Sequence, residues 1–169
     1  MPLARAVAMS LALFMLAAPM TKAQEARDLV GDPERGKVVY RSVGYCGNCH
    51  GWPGDGITGI LLQAPRGANL RETRLDKDQL IEVIRCGLPG TPMPYHDRAA
   101  YREGRCHGLT MADFEPGGKP VRGKTVSEQD LANLVAFLQT RMIGLGEPTF
   151  AECTDFFDNP DAKACSRLK

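Results

Sequence analysis

The sequence predicts an all-α fold with long connecting loops, and three helix starts carry that prediction. Each pairs an N-capping side chain with apolar residues further on: Asp32 ahead of Val38, Val39 and Tyr40; Asp76 or Asp78 ahead of Leu80, Ile81, Val83 and Ile84; Ser127 ahead of Leu131, Leu134, Val135 and Leu138. No stretch shows a βαβ pattern, an internal repeat or a low-complexity tract.

Residues 6–20 form an apolar run behind Arg5, and Thr21-Lys22-Ala23 then offers a small residue for cleavage, the layout of a secretory signal peptide. With Ser10 and Pro19 inside it, the run is short for a membrane span; an uncleaved anchor is the alternative. The expected organisation is a signal peptide over 1–23 and one domain over 24–169, its last part, about 143–169, a C-terminal extension. The full chain carries a formal net charge of +1. Losing the signal removes Arg5, Lys22 and no acid, leaving one more acidic than basic side chain. A nucleic-acid binder should show a strong basic excess, so none is expected as partner, nor a membrane span after cleavage.

Asp32-Pro33-Glu34 opens the first helix: an acid at the N-cap, proline at the first helical position, and an acid where the helix dipole favours negative charge. Gly36 within it is poor for propensity alone and points to close packing against another helix. This helix delivers the chain to Cys46-Gly47-Asn48-Cys49-His50, the C-x-x-C-H signature of covalent c-type haem attachment. The sulfurs of Cys46 and Cys49 can add to the two haem vinyl groups, and the His50 imidazole lies within reach of the iron as proximal ligand. A zinc site usually needs a second ligand pair, and the later cysteines lack that spacing. A thioredoxin-like dithiol belongs in a βαβ unit. One haem c per chain is the expected cofactor; at 7% aromatic residues, the chain would leave much of its core to it.

The pentapeptide resembles that of the class I c-type cytochromes. The resemblance implies a cytochrome c-like fold, with several helices around the haem and the first and last helices crossing beside it. It also implies a proline whose carbonyl accepts the His50 imidazole N–H; Pro65 is the best match, and Pro53 is closer in sequence. Residues 51–68 are rich in glycine and proline and read as loop. Arg66, Arg71 and Trp52 can meet the haem propionates or face solvent. A second helix then runs to Cys86-Gly87.

The sixth iron position falls to Met93. It stands in Gly90-Thr91-Pro92-Met93-Pro94, where flanking prolines restrict the backbone, and the Met-Pro pair resembles the axial methionine loop of class I cytochromes. His96 and His107 compete, and Met111 more weakly. A thioether raises the potential relative to imidazole and suits an acceptor of electrons from a dehydrogenase.

Cys86, Cys106, Cys153 and Cys165 form an even set that suits two disulfides in an exported chain. Short loops favour Cys86–Cys106, clasping the segment that carries Met93, and Cys153–Cys165, stapling the extension. Ser127-Glu128-Gln129-Asp130 resembles a capping box and opens the last core helix. Residues 97–125 and the tail after Met142 are additions to a minimal cytochrome; Phe156-Phe157 in that tail either folds back on the core or contacts a partner. These additions loosely resemble those of periplasmic cytochromes serving quinoprotein alcohol or methanol dehydrogenases. The expected function is therefore a periplasmic one-electron carrier and not an enzyme. It would accept electrons from a dehydrogenase and pass them to an oxidase or another cytochrome. A fixed cytochrome subunit of a dehydrogenase complex is the alternative, and a haem enzyme or gas sensor a more distant one. Common c-type peroxidases carry two haems, and a second C-x-x-C-H is missing.

Overall fold

The computed structural model describes residues 28–57 and 63–169, so the expected signal peptide over 1–23 lies outside them. Among the described residues the secondary structure is helical, with two isolated β-bridges and no strand. Helix α1 (Pro33–Val38) starts where the Asp32 side chain accepts the backbone N–H groups of Glu34 and Arg35, at 2.9 and 3.3 Å. It continues as a π-helical turn, Val39–Val43, and a single turn, α2 (Gly47–His50), follows. Asp76, not Asp78, caps α3 (Lys77–Cys86) through a reciprocal box with Gln79, and Gly87 ends it at a φ of 64°. Ser127 caps α4 (Glu128–Arg141), accepting from the Asp130 N–H at 3.1 Å. Thr149 and Glu152 cap α5 (Phe150–Phe157). No helix among the described residues is long and apolar enough to cross a membrane.

The α1–α4 crossing organises the core, and glycine permits it. A Cβ on Gly36 would lie 2.0 Å from the Asn133 carbonyl oxygen, and one on Gly31 would lie 2.2 Å from that of Ala132. The buried Asn133 amide accepts the Asp32 N–H at 2.9 Å, which fixes the register of the two helices. Val39 and Tyr40 from the first helix then pack with Ile81 and Ile84 of α3 and with Leu131, Leu134, Val135 and Leu138 of α4. The last four are the apolar face expected from spacing.

Both expected disulfides are present, Cys86–Cys106 and Cys153–Cys165. The second closes a loop within the extension, tying the α5 segment to the C-terminal residues. Phe156 is buried among Tyr40, Trp52 and Phe137, with ring centroids 5.8 to 6.5 Å apart, and Phe157 packs on Trp52 at 5.9 Å. The phenylalanine pair therefore folds back on the core. At the end of α5, Asp158 adopts a left-handed φ of 51° and receives the nearly buried Lys37 ammonium at 2.8 Å.

That contact is acid-sensitive. The Lys37 hydrogen bond, then its charge, hold the Asp158 carboxyl below its ordinary value. Burial pushes Glu152 up, but hydrogen bonds from Arg71 and Thr149 outweigh it and lower its pKa. A depressed carboxylate contributes stability above its unfolded pKa of about 4 and loses it as pH falls through the folded value. Protection against hydrogen exchange, relative to the intrinsic rate at each pH, should therefore fall across Phe150–Phe157 below about pH 4, and Asp158→Asn should weaken that dependence. An unaltered acid profile in this variant would count against the contact.

Candidate haem site

A one-turn helix explains the spacing of the motif. Cys46 stands at the N-cap of α2, and its carbonyl accepts the N–H groups of Cys49 and His50, at 3.2 and 2.9 Å. Positions i, i+3 and i+4 share one helical face, so both thiols and the imidazole leave the backbone on the same side. Tyr45, at a φ of 56°, turns the chain into this helix from the π turn. From below, the buried Tyr40 hydroxyl donates to the Gly51 carbonyl at 2.7 Å, joining the first helix to the end of the motif.

The loop after the motif folds back over the histidine. Gly56 N–H donates to the His50 carbonyl at 2.9 Å, and Gly67 N–H to that of Cys49 at 2.8 Å. His50 Nδ1 lies 2.9 Å from the Ala68 carbonyl oxygen. The carbonyl facing the imidazole thus belongs to Ala68, and neither Pro65 nor Pro53 supplies it. Gly67 is the reason: a Cβ there would sit 2.6 Å from Nδ1, so a residue without one brings the strand of chain close enough for its neighbour to bond. A carbonyl only accepts, so Nδ1 carries the proton and Nε2 keeps its lone pair. Burial lowers the His50 pKa, against the opposing pull of the Ala68 bond, and favours the neutral imidazole a metal needs.

The thiols fit haem attachment better than redox exchange. With the other four cysteines paired, Cys46 and Cys49 are the free ones. Burial pushes the Cys46 thiol up to about 12 and raises that of Cys49 as well. A disulfide-exchanging C-x-x-C requires a lowered thiol pKa. Two unpaired sulfurs and a neutral imidazole with a free Nε2, on one face of one turn, are the donor set that a covalent haem requires.

The Met93 loop folds tightly on the end of α3. Leu88 N–H donates to the Met93 carbonyl at 3.2 Å, and Met93 N–H to the Thr91 hydroxyl at 3.2 Å. Gly87 makes the bend, since a Cβ would fall 2.7 to 2.8 Å from Pro94, Tyr95 and Met93 backbone atoms. Met93 is half-buried. The competitors have other surroundings. His96 is buried with Nδ1 2.6 Å from the Lys124 carbonyl oxygen, His107 is exposed beside Glu82, and Met111 packs on a small second core around Cys86, Tyr101 and Cys106.

Arg71 is buried and bonded to the carbonyls of Pro53 and Gly146 and to the Glu152 carboxylate, so it anchors the extension and is not free for propionates. Trp52 is buried against the extension, while Arg66 is exposed. Glu82, Cys86 and His107 bring ligand-type atoms within 4.8 Å of one another, but the Cys86 sulfur is committed to its disulfide.

Searches of curated proteins and of solved structures return no match. Residues 31–102 match the family model for cytochrome C oxidase, cbb3-type, subunit III. The matched span, less than half of the chain, contains Cys46, Cys49, His50 and Met93 and stops before α4 and the extension. The match supports a c-type cytochrome domain in this part of the chain, and with it haem-based electron transfer.

Proposed function

We propose that the protein is an exported, periplasmic one-electron carrier with one haem c, tethered through Cys46 and Cys49 and ligated by His50 and Met93. The observation that carries this reading is the His50 Nδ1 contact with the Ala68 carbonyl, which leaves Nε2 free beside the two unpaired thiols. When bound, the haem supplies exchange of one electron between ferric and ferrous iron. The chain's own residues hold and insulate. Ala68 orients His50 and increases its basicity, Cys46 and Cys49 prevent dissociation, and Leu70, Leu80 and Ile84 contribute to an apolar surround. The chain performs no bond chemistry on a substrate. A periplasmic dehydrogenase, quinoprotein enzymes among them, is the proposed donor and an oxidase or second cytochrome the acceptor.

A fixed relay within a larger complex is the second reading. It is favoured by the matched family, whose description names an oxidase subunit. Stoichiometric co-purification with other subunits would select it over a free carrier.

Absorption spectra of the purified oxidised and reduced protein test the ligation. A weak methionine-to-iron band in the oxidised form should vanish in Met93→Ala and survive in His96→Ala. Cys46→Ser with Cys49→Ser should leave no haem on the denatured chain. If the native protein carries no covalent haem, the proposal fails.

A further inference from the structure

The long insertion after the Met93 loop returns to that loop as a strap. Tyr95 N–H donates to the Val121 carbonyl and Gly123 N–H to the Tyr95 carbonyl, both at 2.9 Å, and Val126 N–H to the His96 carbonyl at 3.1 Å. Residues 121–126 therefore run alongside the exit of the loop, with a bridge between Tyr95 and Arg122. On the opposite side, His96 N–H lies 3.2 and 3.1 Å from the Ile84 and Arg85 carbonyls in the last turn of α3. The His96 side chain completes the arrangement. Its Nδ1–H donates to the Lys124 carbonyl at 2.6 Å, and the residue is only 5% exposed. Gly123 makes room for the ring, because a Cβ there would lie 2.8 Å from its Cε1 and 3.0 Å from Nδ1. His96 thus bonds by its backbone to the helix before the loop and by both backbone and side chain to the strap after it.

We propose that His96 is a positioning residue for the sixth iron ligand: it fastens the exit of the Met93 loop between α3 and the 121–126 strap. The proposal rests on the reading of Met93 as that ligand. His96 acts through Met93, by raising the free energy needed to swing the loop away. An external ligand must compete with the loop, so its apparent affinity scales with the fraction of protein in which the loop is open. A buried hydrogen bond makes a difference of about 0.5–1.5 kcal/mol, hence up to roughly tenfold in that fraction.

The test is a titration of the oxidised, haem-loaded protein with imidazole, together with its reduction potential. His96→Ala should bind imidazole roughly two- to tenfold more tightly and shift the potential downward at unchanged haem content. Asn places an amide nitrogen where Nδ1 stands, so His96→Asn should restore much of the wild-type behaviour. Gly123→Ala, which displaces the ring and leaves histidine in place, should resemble His96→Ala. This second route serves if His96→Ala does not fold. A lower melting temperature with unchanged imidazole affinity and potential, in His96→Ala or in Gly123→Ala, overturns the proposal and leaves the Met93 reading intact. A wild-type protein whose methionine band is missing, or persists in Met93→Ala, overturns both.

Discussion

Gly36→Ala should destabilise the haem-loaded protein by about 3 kcal/mol or more, although alanine is the better helix former by about 1 kcal/mol. The reversal of sign is the diagnostic. Alanine at an uncrowded helical position lowers the entropy of the unfolded chain and stabilises. Here its Cβ would stand 2.0 Å from the Asn133 carbonyl oxygen and 2.6 Å from the Phe137 Cβ. One of these neighbours is backbone, so no rotamer change relieves the overlap and the two helices must separate. Separation stretches the Asp32–Asn133 bond and opens the packing of Tyr40 on Phe137, at 5.7 Å between ring centroids. The consequence reaches the motif, because Tyr40 holds the Gly51 carbonyl immediately after His50. Denaturant unfolding of the two proteins measures the effect, and a variant as stable as the parent would refute the close crossing.

Gly36 shows why some of this architecture was legible in the sequence. A glycine inside an otherwise helical stretch is a local anomaly, and its cause, a neighbour too close for a Cβ, is general. Asp32 and Ser127 were readable for the same reason, since a cap acts on N–H groups two or three residues away, whereas the second helix left Asp76 and Asp78 as alternatives. Short loops also ranked the two disulfides correctly. The His50 acceptor was a different problem. Every residue owns a carbonyl, so composition did not distinguish Ala68 from Pro65; the selection lies in how Gly67 and Ala68 approach the imidazole. The local trace of that approach is Gly67. Arg71 was obscure on similar grounds, because its partners at Gly146 and Glu152 come from an extension far along the chain. The same distance hid the strap, where Lys124 meets His96 across 28 residues.

Removing both sulfurs of the Cys86–Cys106 bridge, by Cys86→Ser with Cys106→Ser, should lower stability by about 3 kcal/mol and also loosen the proposed Met93 ligation. Cys86 is the last residue of α3, and Cys106 lies in the insertion beyond the ligand loop, so the bridge encloses Met93. The Tyr101 hydroxyl donates to the Cys86 carbonyl at 2.6 Å, and Tyr95 and Phe114 pack their ring edges on Tyr101 within 5.6 Å. The insertion therefore has a small core, with the bridge at its centre, from which the strap reaches His96. Without the bridge, α3 and the insertion can part, and the loop between them gains freedom. Oxidised protein should then lose part of its methionine-to-iron absorption, and the potential should fall as other ligands replace the thioether. The Cys153–Cys165 bridge is the matched control. Its loop spans a sequence separation of 12 against 20, so its loss should cost a similar amount, again about 3 kcal/mol. It fastens α5 in the extension, away from the ligand loop, and its removal should leave potential and absorption unchanged. Two variants of comparable stability would then differ in redox behaviour, which global destabilisation alone does not produce. An unchanged potential and band in the Cys86/Cys106 variant would mean that the bridge supports the fold and has no hold on the ligand.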